Sequence, residues 1–208
     1  MADRSSTADL SSLTDEQLIE RYRTGLDEAI NILIHRYRME LFHFLARFTN
    51  DRTAAEDVFQ EAFLQVHLSA DTFDTSRRFK PWLFTIAANK ARDYLRKQAR
   101  RPAAELSAPL GGDGAEGQTF LDLMQGDLPM PDDRMEQAEL RDRVNQAIQA
   151  MPDHLREILL LAYFQQLPYN EIAEMLQIPL GTVKSRLHTA VGTFARQWKR
   201  LNHSTGPA

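Results

Sequence analysis

Apolar side chains recur at intervals of three and four along most of the chain, the spacing that lines one face of an α-helix. Between residues 14 and 48 they fall at Leu18, Tyr22, Ile30, Leu33, Ile34, Tyr37, Leu41, Phe44, Leu45 and Phe48. Thr14-Asp15-Glu16-Gln17 and Thr53-Ala54-Ala55-Glu56 both have the form of a capping box, which satisfies two free amides where a helix opens. The second leads into Val58, Ala62, Phe63 and Val66. Asp71 to Phe79 is predicted to be a polar loop. Pro81, with its fixed φ and missing N–H, suits the first position of a long helix to about Arg100. Further helices are predicted near 134–150, 153–166, 169–177 and 181–199. No long segment alternates with period two. The pattern predicts an all-α protein.

Between Arg101 and Asp133 the periodicity stops. This stretch holds four of the nine prolines and five of the nine glycines, which interrupt helices. Its apolar surface is too small to offset the ordering of its backbone, one island at Phe120–Met124 apart. The organisation expected is therefore a disordered tail (1–13), a helical domain (14–101), a flexible acidic linker (102–133), a second helical domain (134–199) and a C-terminal tail (200–208).

Charge sharpens this picture. The formal net charge is −4, which taken whole argues weakly against a nucleic-acid partner. It is unevenly spread, however: residues 71–101 carry +6 and 179–208 carry +5, while 102–142 carry −8. Local basic density, not the sum, governs phosphate binding. Cys 0 excludes disulfides, a thiolate zinc site and a cysteine nucleophile. The opening MADRSSTADL lacks the apolar core of a secretory signal. The longest apolar cluster, Ile158 to Phe164, falls far short of the ~18 residues needed to span a membrane. A cytoplasmic protein with no membrane insertion of its own is expected.

The second basic block has the layout of a helix-turn-helix. A short helix with Ile172, Ala173 and Leu176 inward ends before Pro179, and Gly181-Thr182 is placed to cap a second helix. On that helix Val183, Leu187, Ala190, Val191, Phe194 and Trp198 share one face. Thr182, Ser185, Thr189, Thr193 and Arg196 share the other, with Lys184, Arg186 and His188 on the flanks. Short hydrogen-bonding side chains flanked by cations suit base edges and phosphates in a major groove; the alternative is a solvated basic face of a helical hairpin. In the first block, Leu83, Ile86, Ala87, Ala91 and Tyr94 form the inward face, while Trp82, Thr85, Asn89, Arg92 and Arg96 lie together on the other. That set suits stacking on an unpaired base, reading its edge and holding its backbone. Packing of Trp82 against a neighbouring helix is the other reading.

Together the motifs resemble those of bacterial RNA polymerase sigma factors of the extracytoplasmic-function group, within the sigma-70 family. The likeness runs through Asp57-Val58-Phe59-Gln60-Glu61-Ala62-Phe63, Phe79–Asn89, Met151-Pro152 and Gly181–Leu187, in order, over roughly residues 15–197. It implies that the front domain is sigma domain two, with Asp57, Gln60 and Glu61 facing the clamp helices of core RNA polymerase. Trp82, Thr85, Asn89 and the Asp71–Lys80 loop, including Phe73 and Lys80, would open and read the promoter −10 element, with Asn89 near a flipped base. Arg92, Arg96 and Lys97 would hold the adjacent backbone. The rear domain would be sigma domain four, docking on the polymerase flap and presenting Thr182, Lys184, Ser185, Arg186, His188, Thr189 and Arg196 to the −35 element. The linker would thread near the polymerase active centre, and an anti-sigma protein would be a further partner.

The chain departs from the family pattern in three places. Gln177 stands where glycine is common and Pro168 where serine is. Thr189-Ala190-Val191-Gly192 replaces a stretch that often carries arginines. Fewer cations there imply a weaker salt dependence of −35 binding.

No catalytic site emerges. Glu40 and His43 form a lone pair without the second half of a di-metal bundle, and no phosphate-binding glycine loop follows a strand. Neither enzyme activity, nor a metal, nor a cofactor is expected. Two other classes remain open at this level. One is an autonomous helix-turn-helix repressor or activator, and the other a protein-binding helical adaptor.

Overall fold

The computed structural model describes residues 10–100 and 134–203. The expected linker, 102–133, lies outside the described residues, as do residues 1–9 and 204–208. Among the described residues the first stretch folds into α1 (Asp15–Arg23), α2 (Glu28–Thr49), α3 (Arg52–Ser69) and α4 (Phe79–Arg100). A 3-10 turn, Ala70–Thr72, leaves α3. The second stretch folds into α5 (Arg134–Gln149), α6 (Asp153–Leu159) with a π turn at Leu160–Phe164, α7 (Tyr169–Leu176) and α8 (Leu180–His203). Among the described residues there is no strand.

Local chemistry explains where the helices break. The single stripe read over 14–48 is two helices, because Gly25 turns the chain at φ 92, a conformation glycine adopts without a Cβ penalty. The capping box at Thr14 and Gln17 forms. The one expected at Thr53 does not: Asp51 caps α3 instead, its carboxylate accepting from the Ala54 amide at 3.1 Å. Asn50, left-handed at φ 59, ends α2 immediately before it. The Asn50-Asp51 pair therefore closes one helix and opens the next. Helix α4 starts at Phe79, two residues earlier than expected. Pro81 still falls in the first turn, where a missing N–H forfeits no helical bond. The Phe79 amide is met from α1, by Glu16 Oε1 at 2.9 Å. Leu10, expected in the tail, is buried against the core. At the other end α8 continues past residue 199.

Helices α1–α4 enclose Leu18, Leu33, Phe44, Phe48, Leu83 and Phe84 with no exposed surface. The rings of Phe44 and Phe84 meet edge-on, 5.2 Å between centroids. Truncating such a phenylalanine to alanine costs about 3–5 kcal/mol. Ile148, Ile158, Ile172, Val183 and Ala190 do the same work among α5–α8.

The two sets of buried side chains are continuous with each other. Helix α2 lies against α5 and α6, and α4 against α7. The junction is polar where α2 ends. Its last carbonyls accept from across the interface: Arg47 O from Gln149 Nε2 at 2.7 Å, and Phe48 O from Arg156 Nη1 at 2.8 Å. Arg156 is buried and also donates to Met151 O and Asp153 Oδ1. A guanidinium at a helix C-terminus meets the negative end of the helix dipole. Arg47 in turn donates to Asn145 Oδ1 and lies over the Phe164 ring.

Candidate nucleic-acid interface

Three surfaces carry the residues singled out from sequence. On α3, the buried stripe of Val58, Ala62 and Val66 turns Asp57, Gln60 and Glu61 outward, and all three are exposed. Glu61 has Lys90 of α4 at 3.9 Å. Leu64 and Leu68 continue the same ridge one and two turns on, 58% and 66% exposed. Sequence reasoning passed over these two leucines. Their signal was available, since each is a large apolar residue standing off the inward stripe.

The second surface is α4 with the turn before it. Trp82 is half-buried, its ring 4.5 Å from that of Phe73 at an interplanar angle of 32° and 5.7 Å from Phe79. The ring lies against its own preceding turn at Phe73 and the start of its own helix at Phe79. Phe73 is itself buried beneath it. That turn is held by Arg23 of α1, which donates to Ala70 O at 2.7 Å and to Phe73 O. Asp74 closes it from within, accepting from the Ser76 amide and hydroxyl. The Ser76 hydrogen bonds hold the Asp74 carboxyl below the ordinary range. Arg23 was not singled out from sequence; nothing local marks an arginine that reaches across a bundle.

Down α4, the Thr85 hydroxyl donates a hydrogen bond back to Pro81 O. Asn89 is exposed, and its Oδ1 accepts from Arg92 Nη2, so an amide and a guanidinium expected to share a task touch each other. Arg96 pairs with Asp93 at 3.0 Å, and Lys97 is exposed beside it. Lys80 reaches Glu40 Oε1 at 2.6 Å and Gln165 O at 3.1 Å.

The third surface is α8. Gln177 joins α7 to it in the left-handed conformation, φ 53, a region that glycine adopts without a Cβ penalty. Helix α8 starts at Leu180, so Gly181 and Thr182 lie within its first turn and do not cap it from outside. Lys184, Ser185, His188, Thr189 and Arg196 are exposed, while Thr182 and Arg186 are half-buried. The hydroxyls of Ser185 and Thr189 bond back to Thr182 O and Ser185 O. Two placements differ from the helical wheel. Val191, assigned inward, is 40% exposed; Thr193, assigned outward, is 7% exposed and accepts from Arg196.

Acidic groups of the second domain stand over the α4 surface. Glu171 and Glu174 of α7 pair with Arg78 and Arg77 at 3.0 and 2.6 Å. Glu157 of α6 lies 3.6 Å from Arg92 Nε, close enough for attraction but beyond a hydrogen bond. Burial pushes its carboxyl up to about 7, against the attraction of Arg92 and Arg186.

Residues 33–101 match the family model described as Sigma-70 region 2, and residues 141–192 match Sigma-70, region 4. The ECF RNA polymerase sigma factor SigW of Bacillus subtilis (strain 168) is 32% identical over 88% of this chain and 96% of its own length. The chain belongs to the extracytoplasmic-function sigma factors. Within that family, the ECF RNA polymerase sigma-E factor of Escherichia coli (strain K12) is 33% identical over 86% of this chain and 91% of its own. The fold is that of CnrH, solved in complex with the cytosolic domain of CnrY. That match has a TM-score of 0.61 and 22% identity, over 92% of this chain and 99% of that one. As a sigma factor the protein is a transcription initiation factor that directs RNA polymerase. The autonomous repressor gives way, because the front domain is accounted for as region 2. Among the described residues no helix is long and apolar enough to cross a membrane.

Proposed function

We propose that the sigma factor works by binding and strand opening, without chemistry of its own, and that its residues divide the work by surface. Residues 14–101 form the polymerase- and −10-binding domain and residues 134–199 the −35-binding domain, acting in the cytoplasm. Asp57, Gln60 and Glu61 dock on the clamp helices of core polymerase, with Leu64 and Leu68 extending the contact through apolar burial. Trp82, Thr85 and Asn89, with Phe73 and Lys80 of the preceding turn, open and read the −10 element. Arg92, Arg96 and Lys97 hold its backbone. Thr182, Lys184, Ser185, Arg186, His188, Thr189 and Arg196 face the −35 major groove, while the first helices of that domain dock on the flap. An anti-sigma protein is the expected regulator, as in the complex of the sigma factor RpoE with the anti-sigma factor NepR from Bartonella quintana.

The observation that carries this reading is the single face of α4. An exposed amide at Asn89 is in contact with Arg92, one turn from Thr85 and two from an indole already stacked on Phe73. Extruding a base costs a few kcal/mol, so melting is favourable only where a pocket rebinds the base by stacking and edge hydrogen bonds. Asn89→Ala is expected to reduce run-off transcription with core polymerase at least tenfold and to abolish −10 preference, with polymerase binding unchanged. Normal transcription by Asn89→Ala from every promoter tested removes Asn89 from the pocket.

A further inference from the structure

Helix α1 carries two charged groups that neither the −10 face nor the polymerase-facing ridge uses. Arg23 reaches across the bundle to the turn between α3 and α4, donating from Nε to Ala70 O at 2.7 Å and from Nη2 to Phe73 O. Ala70 is the C-cap of α3, so the guanidinium meets the negative end of that helix dipole while it bridges two carbonyls. Its planar fork spans both at once, which a lysine ammonium cannot do. Two turns back along α1, Glu16 Oε1 accepts from the Phe79 amide at 2.9 Å, at the positive start of α4. Burial opposes ionisation of Glu16, yet hydrogen bonds from the Phe79 amide, its own amide and Thr14 hold its carboxyl below the ordinary range. The remaining hydrogen bonds of the turn are short-range: Thr72 to Ser69 O, Ser76 to Asp74, and the Arg77 amide to Asp74 O. The exposed pairs of Arg77 and Arg78 with α7 contribute little. Beyond the buried Phe73 ring, it is α1 that ties both ends of the turn to the bundle. Phe73, whose carbonyl Arg23 holds, is also the residue whose ring lies under Trp82, 4.5 Å away. Side chains that present one geometry to a ligand need their own positions fixed by neighbouring hydrogen bonds.

We propose that Arg23, with Glu16 at the other end of the turn, is a positioning residue for −10 recognition. From α1 it fixes the backbone of Phe73, and hence the seat of the Trp82 ring, without touching DNA itself. This role rests on the reading of Trp82 and Asn89 as the −10 reader.

Wild-type holoenzyme first selects a promoter from a duplex library randomised over the −35 and −10 elements. The test panel is that promoter with its single substitutions in the −10 element. Run-off transcription of the panel is compared for full-length wild type, Arg23→Gln and Arg23→Lys. A purely structural loss lowers the active fraction and scales every template equally, leaving the ratio of matched to substituted templates unmoved. Arg23→Gln is expected to lower that ratio at least fivefold. Arg23→Lys, which keeps the charge but reaches only one carbonyl, is expected to lower it by less. In a Trp198→Phe background Trp82 is the sole tryptophan. There Arg23→Gln is expected to make its fluorescence at least twofold more sensitive to quenching by acrylamide. Equal scaling of all templates, or unchanged quenching of Trp82, overturns the proposal; Arg23→Lys is read in the same way if Arg23→Gln does not fold. If Trp82 loosens yet the ratio holds in both Arg23→Gln and Asn89→Ala, the −10 reading falls and takes the proposal with it. A ratio that changes in Asn89→Ala but not in Arg23→Gln overturns the proposal alone.

Discussion

Glu157 is 5% exposed, and its Oε1 has no hydrogen-bond partner among the described residues. A carboxylate removed from water without donors is costly to ionise, and two nearby guanidinium groups, Arg92 and Arg186, only partly offset that cost. The consequence for stability has a definite sign. The folded-state value of about 7 lies above the unfolded value of 4.5, so between them the folded protein binds more protons than the unfolded chain. The contribution of this group is most favourable below pH 4.5 and is lost as pH rises to 7, by about 3 kcal/mol for the full window. Glu157→Gln stays neutral throughout. In urea titrations it is expected to match the wild type near pH 4.5 and to exceed it by about 3 kcal/mol at pH 8. A difference that does not grow with pH rejects this account of Glu157.

At the scale of elements, α8 illustrates what a helical wheel resolves and what it blurs. Val183, Leu187 and Ala190 are buried as the spacing predicts, but Val191 and Thr193 exchange places. The face is decided by which neighbours cover it, and Arg196 satisfies the Thr193 hydroxyl in its partly covered position. The exposed face after His188 presents Thr189 and Val191, with no cation before Arg196. Each phosphate neutralised by a protein cation adds about one unit to the salt slope of binding. The slope of −35 binding against log salt is expected to be about two units shallower than in an arginine-rich relative, in matched holoenzyme titrations. An equal or steeper slope shows that cations elsewhere replace them. Helix starts followed the same logic: Thr14 and Gln17 cap α1 as their spacing predicts, whereas α3 takes Asp51, which stands next to a left-handed Asn50. Both residues favour such ends, and the choice between Asp51 and Thr53 depends on where α2 stops.

For the whole molecule, the junction of the two domains joins a continuous apolar core to a polar cluster at the end of α2. Arg156 sits at its centre, bonded to Phe48 O, Met151 O and Asp153. Arg156→Ala removes the donors to two carbonyls, and a hydrogen bond from a charged group contributes about 1.5–3 kcal/mol. The variant is expected to lose about 2 kcal/mol of unfolding free energy in urea and to show an expanded full-length chain by X-ray scattering. Unchanged dimensions assign closure to apolar contact instead.

Much of this was legible in the sequence. Helical class, the two basic blocks, the α4 face from Trp82 to Arg96 and the helix-turn-helix all follow from periodicity and charge within short windows, because side chains three and four apart share a face whatever lies around them. The tertiary structure decided what covers those faces. Arg77 and Arg78 meet Glu174 and Glu171, Arg92 meets Glu157, and Arg23 pins the turn at Phe73 across pairs far apart in the chain. A charge pattern records that acids and bases exist. Which acid stands over which base is set by the burial that docks α2 and α4 against α5–α7, and no local rule contains that.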